Sequence, residues 1–120
     1  MLTYDNLITE AQIELPNFKT KYNQLIEDNM IDTESGKHIV FGYVFTPLLL
    51  EALTNNDEET VTTMFSFLEE MACSKDNRVV EVCDQSVLER LNDEFDENIL
   101  KKYMGTNTSK GYKALKRFMR

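Results

Sequence analysis

Catalysis near neutral pH needs a titratable ring, a reactive thiol, an activated hydroxyl or a pair of converging carboxylates. The sequence has one histidine, His38, and two cysteines, Cys73 and Cys83. A metal site needs three or four converging ligands. These three residues match neither a CxxC nor an HExxH spacing, so no metal and no cofactor is expected. His38 stands at a helix start, where an imidazole serves as a cap or a packing residue. The cysteines lie on helical segments beside apolar residues and read as reduced thiols in or near the core. Two cysteines are too few for a disulfide framework.

The hydroxyl candidates fare no better. Ser66, Ser86 and Ser109 sit in no elbow-like or glycine-flanked context, and Gly36, Gly42, Gly105 and Gly111 are scattered rather than gathered into a phosphate-cradling loop. Carboxylates do occur in pairs, at Glu69-Glu70, Asp93-Glu94 and Asp96-Glu97. Neighbours along a helix point away from each other, so these are poor acid/base pairs. The chain therefore reads as a non-enzyme. A hydrolase whose carboxylates are brought together by folding stands only as a third reading.

The acids are better read as surface. Asp57, Glu58 and Glu59 open a helix, where negative charge suits the dipole. Glu69 and Glu70 close the same helix, where acids oppose the dipole, and a broken local rule marks a functional candidate. The cluster from Asp93 through Glu94 and Asp96 to Glu97 is read as opening the next helix but one. Tyr43 falls off the apolar stripe of its helix, so it either anchors an interface or packs on the first helix. The candidate partner-binding residues are Tyr43, Glu58, Glu69, Glu70, Asp93, Glu94, Asp96 and Glu97.

Apolar spacing supplies the elements that carry these residues. Tyr4, Leu7, Ile8, Ala11 and Leu15 form one helical stripe, and Phe18, Tyr22, Leu25, Ile26 and Met30 a second. A polar loop spans 32–37. Phe41, Val44, Phe45, Leu48, Leu49, Ala52 and Leu53 keep helical phase across Pro47, which predicts a kink rather than a fresh start at Thr46. After an asparagine cap come Val61, Met64, Phe65, Leu68, Met71 and Ala72, then Val80, Cys83, Val87, Leu88 and Leu91. Asn92-Asp93-Glu94 reads as a break. Phe95 to Met104 forms a short helix that Gly105 stops. A basic C-terminal helix over about 107–119 turns Tyr112, Leu115 and Met119 inward. The expected fold is all-α, with six to seven short helices in an irregular, HEAT-like antiparallel bundle spanning 1–120 as one domain.

Composition narrows the function classes. The net charge is -8, and all 21 acids lie within residues 1–100, beside 6 of the 13 basic residues. The other 7 basic residues fall in 101–120. Such a body repels nucleic acid and anionic membranes and attracts basic partners, although acidity also serves plain solubility. Direct nucleic-acid binding is not expected. The basic tail is read as pairing with the acidic body and complementing a helix C-terminus. No apolar run approaches the roughly 20 residues of a membrane span. The segment Met1-Leu2-Thr3-Tyr4-Asp5 lacks the basic and apolar parts of a signal peptide. A cytoplasmic location is expected.

Three segments carry a resemblance. His38-Ile39-Val40-Phe41-Gly42, Phe67-Leu68-Glu69 and Val87-Leu88-Glu89-Arg90-Leu91 resemble, in this order, the apolar-Phe-Gly, Phe-Leu-Glu and Leu-Glu-x-Leu segments of an uncharacterised family of small helical bacterial proteins. Met104-Gly105-Thr106-Asn107-Thr108 resembles that family's Leu-Gly-Pro-x-Thr before the last helix. Pro47 departs from it, replacing a polar residue. Such proteins look like immunity proteins of polymorphic or contact-dependent toxin systems. The resemblance implies a non-enzymatic inhibitor of a cognate toxin domain, with no catalytic residues to carry over. A basic nuclease toxin would suit the acidic body. The alternative is a regulatory or adaptor domain for another cytoplasmic protein, with the basic tail as its contact.

Overall fold

The computed structural model describes residues 2–118. Seven helices and no strand occur among them. We number them α1 (Leu7–Glu14), α2 (Phe18–Glu27), α3 (37–54), α4 (Glu58–Ala72), α5 (77–94), α6 (Glu97–Leu100) and α7 (Thr106–Phe118). Sequence periodicity and fold class agree: the domain is all-α. Its radius of gyration of 13.5 Å matches the ~13.6 Å of a fully compact chain of this length.

Local chemistry sets the boundaries. Asn29 and Asn56 adopt left-handed φ of 59° and 56° just past α2 and α3. In both turns the following N–H reaches back into the helix, Met30 to the Leu25 carbonyl at 2.9 Å and Asp57 to Ala52 at 2.9 Å. This is the Schellman stop, which asparagine tolerates better than other non-glycine residues. It resets the phase of the chain. Met30, expected inward, is therefore 58% exposed, and Ile31 is buried in its place. The cap of α4 is Asp57 rather than an asparagine. Its carboxylate accepts from the Thr60 N–H at 3.3 Å and the Thr60 hydroxyl at 2.7 Å.

Helices α3 and α5 each contain a π-helical stretch, Phe41–Phe45 and Val82–Leu88. In the first, the Thr46 N–H bonds the Phe41 carbonyl, five residues back. Pro47 explains it. A proline inside a regular helix lacks a donor and presses its ring on the carbonyl four residues earlier. A widened turn ahead of it relieves the clash and lets the helix run on. Thr46 keeps helical φ and ψ of -61° and -47°, so it is not a cap, and the continuous reading of this helix stands.

In α5 the wide turn closes with the Glu89 N–H on the Asp84 carbonyl. Here the helix does not break at Asn92 but runs to Glu94. The altered pitch also shifts the apolar face. Val79 and Val82 are fully buried, whereas Val80, expected inward, is half-buried.

The core gathers on α3, α4 and α5. The Phe41 ring lies 5.8 Å from Phe18, 5.3 Å from Phe45 and 6.5 Å from Phe67. Such aromatic pairs each add about 0.5–1.5 kcal/mol beyond the area they bury. Phe67 lay outside the expected stripe of α4. It is buried because α4 packs on two sides, with Phe67 toward α3 and Phe65 stacked on Tyr103 at 5.7 Å. Cys83 is buried and its thiol points to the Leu68 carbonyl at 3.8 Å, while Cys73 is exposed. Tyr112 is buried and Leu115 half-buried on α7, and Met119 lies outside the described residues. Among the described residues no helix is long and apolar enough to cross a membrane.

Candidate functional site

The two wide turns face each other, and a groove of about 360 Å³ opens beside them. It is lined by His38 and Gly42 from α3, and by Gln85, Ser86, Glu89, Arg90 and Asp93 from α5. Widened helical turns occur often at functional sites, because they free backbone groups and re-aim side chains. Here one freed group has a defined use. The Ser86 carbonyl accepts from the Thr46 hydroxyl at 2.7 Å, and Thr46 is fully buried. The bond ties α3 to α5 beneath the groove.

His38 Nδ1 lies 3.0 Å from Ser86 Oγ. A serine beside an imidazole is the start of a nucleophilic dyad, which in working hydrolases has a third group orienting the ring and nearby N–H donors for an oxyanion. Among the described residues no carboxylate is hydrogen-bonded to His38, and Ser86 sits inside a helix whose N–H groups are turned along the axis. The geometry is that of a polar bridge between two helices. Among the described residues no three His, Cys, Asp or Glu side chains converge as a metal site would require.

Next to the groove, Ile39 and Tyr43 stand one turn apart on α3, each 49% exposed. They form an apolar ridge. Tyr43 is thus at the surface and not packed away on α1.

The other candidates lie elsewhere. Glu69 turns its carboxylate into the N-terminus of α7. Oε2 accepts from the Asn107 N–H at 3.0 Å and its side-chain amide at 2.9 Å, and Oε1 from the Thr108 N–H and hydroxyl, both at 2.9 Å. Desolvation alone would raise its pKa, but the backbone donors of Thr108 and Asn107 and then their side chains outweigh it and hold it below the ordinary value. Glu69 opposes the dipole of its own helix because it caps another.

Gly105 makes room for this. A Cβ there would sit 2.5 Å from Glu69 Oε1. Asp84, on α5, shows the opposite balance: burial without compensation raises its pKa, and its carboxylate lies where a Cβ on Gly111 of α7 would meet it at 2.9 Å.

Asp93 and Glu94 belong to the last turn of α5, not to the start of a helix, and Glu94 pairs with Arg90 at 2.7 Å. Asp96 caps α6 through the Asn98 N–H at 2.8 Å. Glu97 is bonded to Lys116 at 2.6 Å and to Lys101 at 3.3 Å, and these two ammonium groups, Lys116 first, depress its pKa. Glu70 is exposed and adds to the repulsion that, after partial desolvation, raises the Glu14 pKa. Glu58 lines a separate hollow with Phe95, Ile99 and Lys102. The eight candidates therefore do not form one face. The groove gathers Asp93, with Tyr43 and the Arg90–Glu94 pair beside it.

Sequence reading weighed Ser86 as a nucleophile and Thr46 as a helix start but missed the bond between them, because a hydroxyl-to-carbonyl bond across 40 residues leaves no local pattern. It passed over Asn107 and Thr108 for the same reason, although the broken rule at Glu69 pointed at one end of their contact. These features define an all-α domain with a polar groove between two π-bulged helices and an acid-capped basic terminal helix. The chain belongs to the family described as Domain of unknown function (DUF7674), whose profile matches residues 8–120. No curated protein and no solved structure matches it.

Proposed function

We propose that this chain is a non-enzymatic, immunity-type protein that neutralises a cognate bacterial toxin domain by docking it on the α3–α5 groove. The observation that carries this reading is the Ile39–Tyr43 ridge on α3, beside a groove whose opposite wall, on α5, carries Glu89 and Asp93. Two large apolar side chains are held in water on a helix whose other face is the core. Tyrosine is one of the residue types enriched among interface hot spots. Glu89 and Asp93 line the groove, and the acid-rich body around it would accelerate encounter with a basic nuclease.

The test is co-purification and growth protection with a candidate basic nuclease toxin domain from the same genome. Tyr43→Ala should weaken binding by about 30-fold, the effect of a hot-spot truncation of about 2 kcal/mol. Asp93→Lys should slow association, more so at low salt. Full protection by the double variant, or no complex with the wild type, would sink the proposal.

The regulatory or adaptor reading draws on one different observation. Only Lys116 among the described basic residues of α7 is in an ion pair, so the basic helix does not spend its charge on the acidic body. Deleting the tail would not separate the readings, because Tyr112 is in the core and Glu69 would lose its partners. Point substitutions on the exposed face of α7 are needed instead.

A further inference from the structure

Helix α7 holds Lys110, Lys113, Lys116 and Arg117 and no acid. Lys110, Lys113 and Arg117 are exposed and make no ion pair among the described residues. At spacings of three and four residues they share one face of the helix. Beside that face lies a hollow of about 310 Å³ lined by Glu97, Lys101, Met104, Ser109, Tyr112 and Lys113. Counting Lys116, which like Lys101 is bonded to Glu97, three ammonium groups surround one carboxylate, a local excess of two positive charges in a chain of net charge -8. The Ser109 hydroxyl makes no hydrogen bond among the described residues and is free to donate, while Met104 and the edge of Tyr112 give the hollow an apolar wall.

We infer that the outward face of α7 and the hollow beside it are a docking site for a short acidic segment of a partner protein. Charge complementarity selects the sign of the occupant. Size selects its class. The stripe from Lys110 to Arg117 runs about 10 Å along the helix, which spans a few acidic side chains of a peptide. A nucleic-acid strand, with a phosphate about every 3.4 Å, would set only about three phosphates along it. The hollow accepts one side chain, with its carboxylate between Lys101, Lys113 and the Ser109 hydroxyl and its methylenes against Met104.

The site is distinct from the α3–α5 groove, so its test does not depend on the toxin. A fluorescein-labelled Glu-Glu-Glu-Leu-Glu-Glu-Glu peptide is titrated with the intact protein and read by anisotropy. Binding should weaken by about tenfold between about 50 and about 200 mM salt, as for an exposed charge contact. The double variant Lys113→Glu/Arg117→Glu should lose at least about tenfold in affinity, and Asp93→Lys on the other face should lose none. Ser109→Asp adds a repelling charge in the first turn of α7, where the dipole favours an acid, so it should abolish binding while the melting temperature holds. No binding by the wild type, or binding unchanged in the folded variants, overturns the inference. Tighter binding of a single-stranded oligonucleotide of equal charge overturns it in favour of nucleic acid. Peptide-independent dimerisation that Lys113→Glu abolishes overturns it in favour of a second copy.

Discussion

Two carboxylates packed against α7 meet opposite fates. Glu69 finds four donors, and Asp84, among the described residues, finds burial alone. The first should hold α7 in place. Glu69→Ala leaves the N-terminal donors of α7 without their acceptor and should cost about 1–3 kcal/mol. Gly105→Ala should displace the same carboxylate, so in denaturant melts the double variant should lose less than the sum of the two singles. Because folding depresses the Glu69 pKa, its contribution is fully present above the ordinary glutamate range. It is lost as pH falls through that range toward the folded-state value. The wild type and Glu69→Ala should therefore converge in stability on acidification. Strict additivity, or a difference independent of pH, would show that the cap does not act as a unit. The acid signal at Glu69 was legible as a breach of the dipole rule. Its reason was not, because the donors lie 38 and 39 residues away.

At the scale of elements, apolar periodicity found the helices well wherever the backbone kept its regular pitch. On α4, Val61, Met64, Phe65, Leu68 and Met71 are buried as their spacing demands. It erred where pitch or phase changed: at Met30 after a left-handed asparagine, at Val80 ahead of the α5 wide turn, and at Asn92, which the helix runs past. Pro47 gave notice of one wide turn. The second has no proline to announce it and faces the first across the Thr46–Ser86 bond. Thr46→Val keeps shape and removes the hydroxyl, leaving the Ser86 carbonyl short of a donor. It should cost about 1–3 kcal/mol by urea unfolding. It should also raise hydrogen exchange of amides near Ser86. A change within about 0.3 kcal/mol would mean that the π stretch of α5 stands without its tie.

For the molecule as a whole, charge is segregated, and this was plain in the sequence from the placement of the acids before residue 98. Where those charges point was hidden. Glu94 and Glu97 are paired with cations, Asp96 caps a helix and Glu69 is committed inside. Of the expected face, Asp93 joins Tyr43 beside the groove. The pairing of the basic tail with the body holds for Lys116, whereas Lys110, Lys113 and Arg117 remain turned to solvent. The domain thus offers two unlike surfaces, an acidic groove with an apolar ridge and a short basic helix face.

The two thiols give the protein a built-in clock. Cys73 is exposed at the end of α4, while Cys83 is sealed in the core and burial raises its pKa. A thiol-reactive dye should modify one sulfur within seconds to minutes and the other only when the molecule opens. The slow phase should match the opening rate of α5, and should accelerate in Thr46→Val, whose stabilising contact lies on the same helix. Equal modification of both sulfurs in the folded protein would contradict the burial of Cys83. Since neither cysteine is in the groove or on the basic face of α7, a dye on Cys73 can report docking at either surface without touching it.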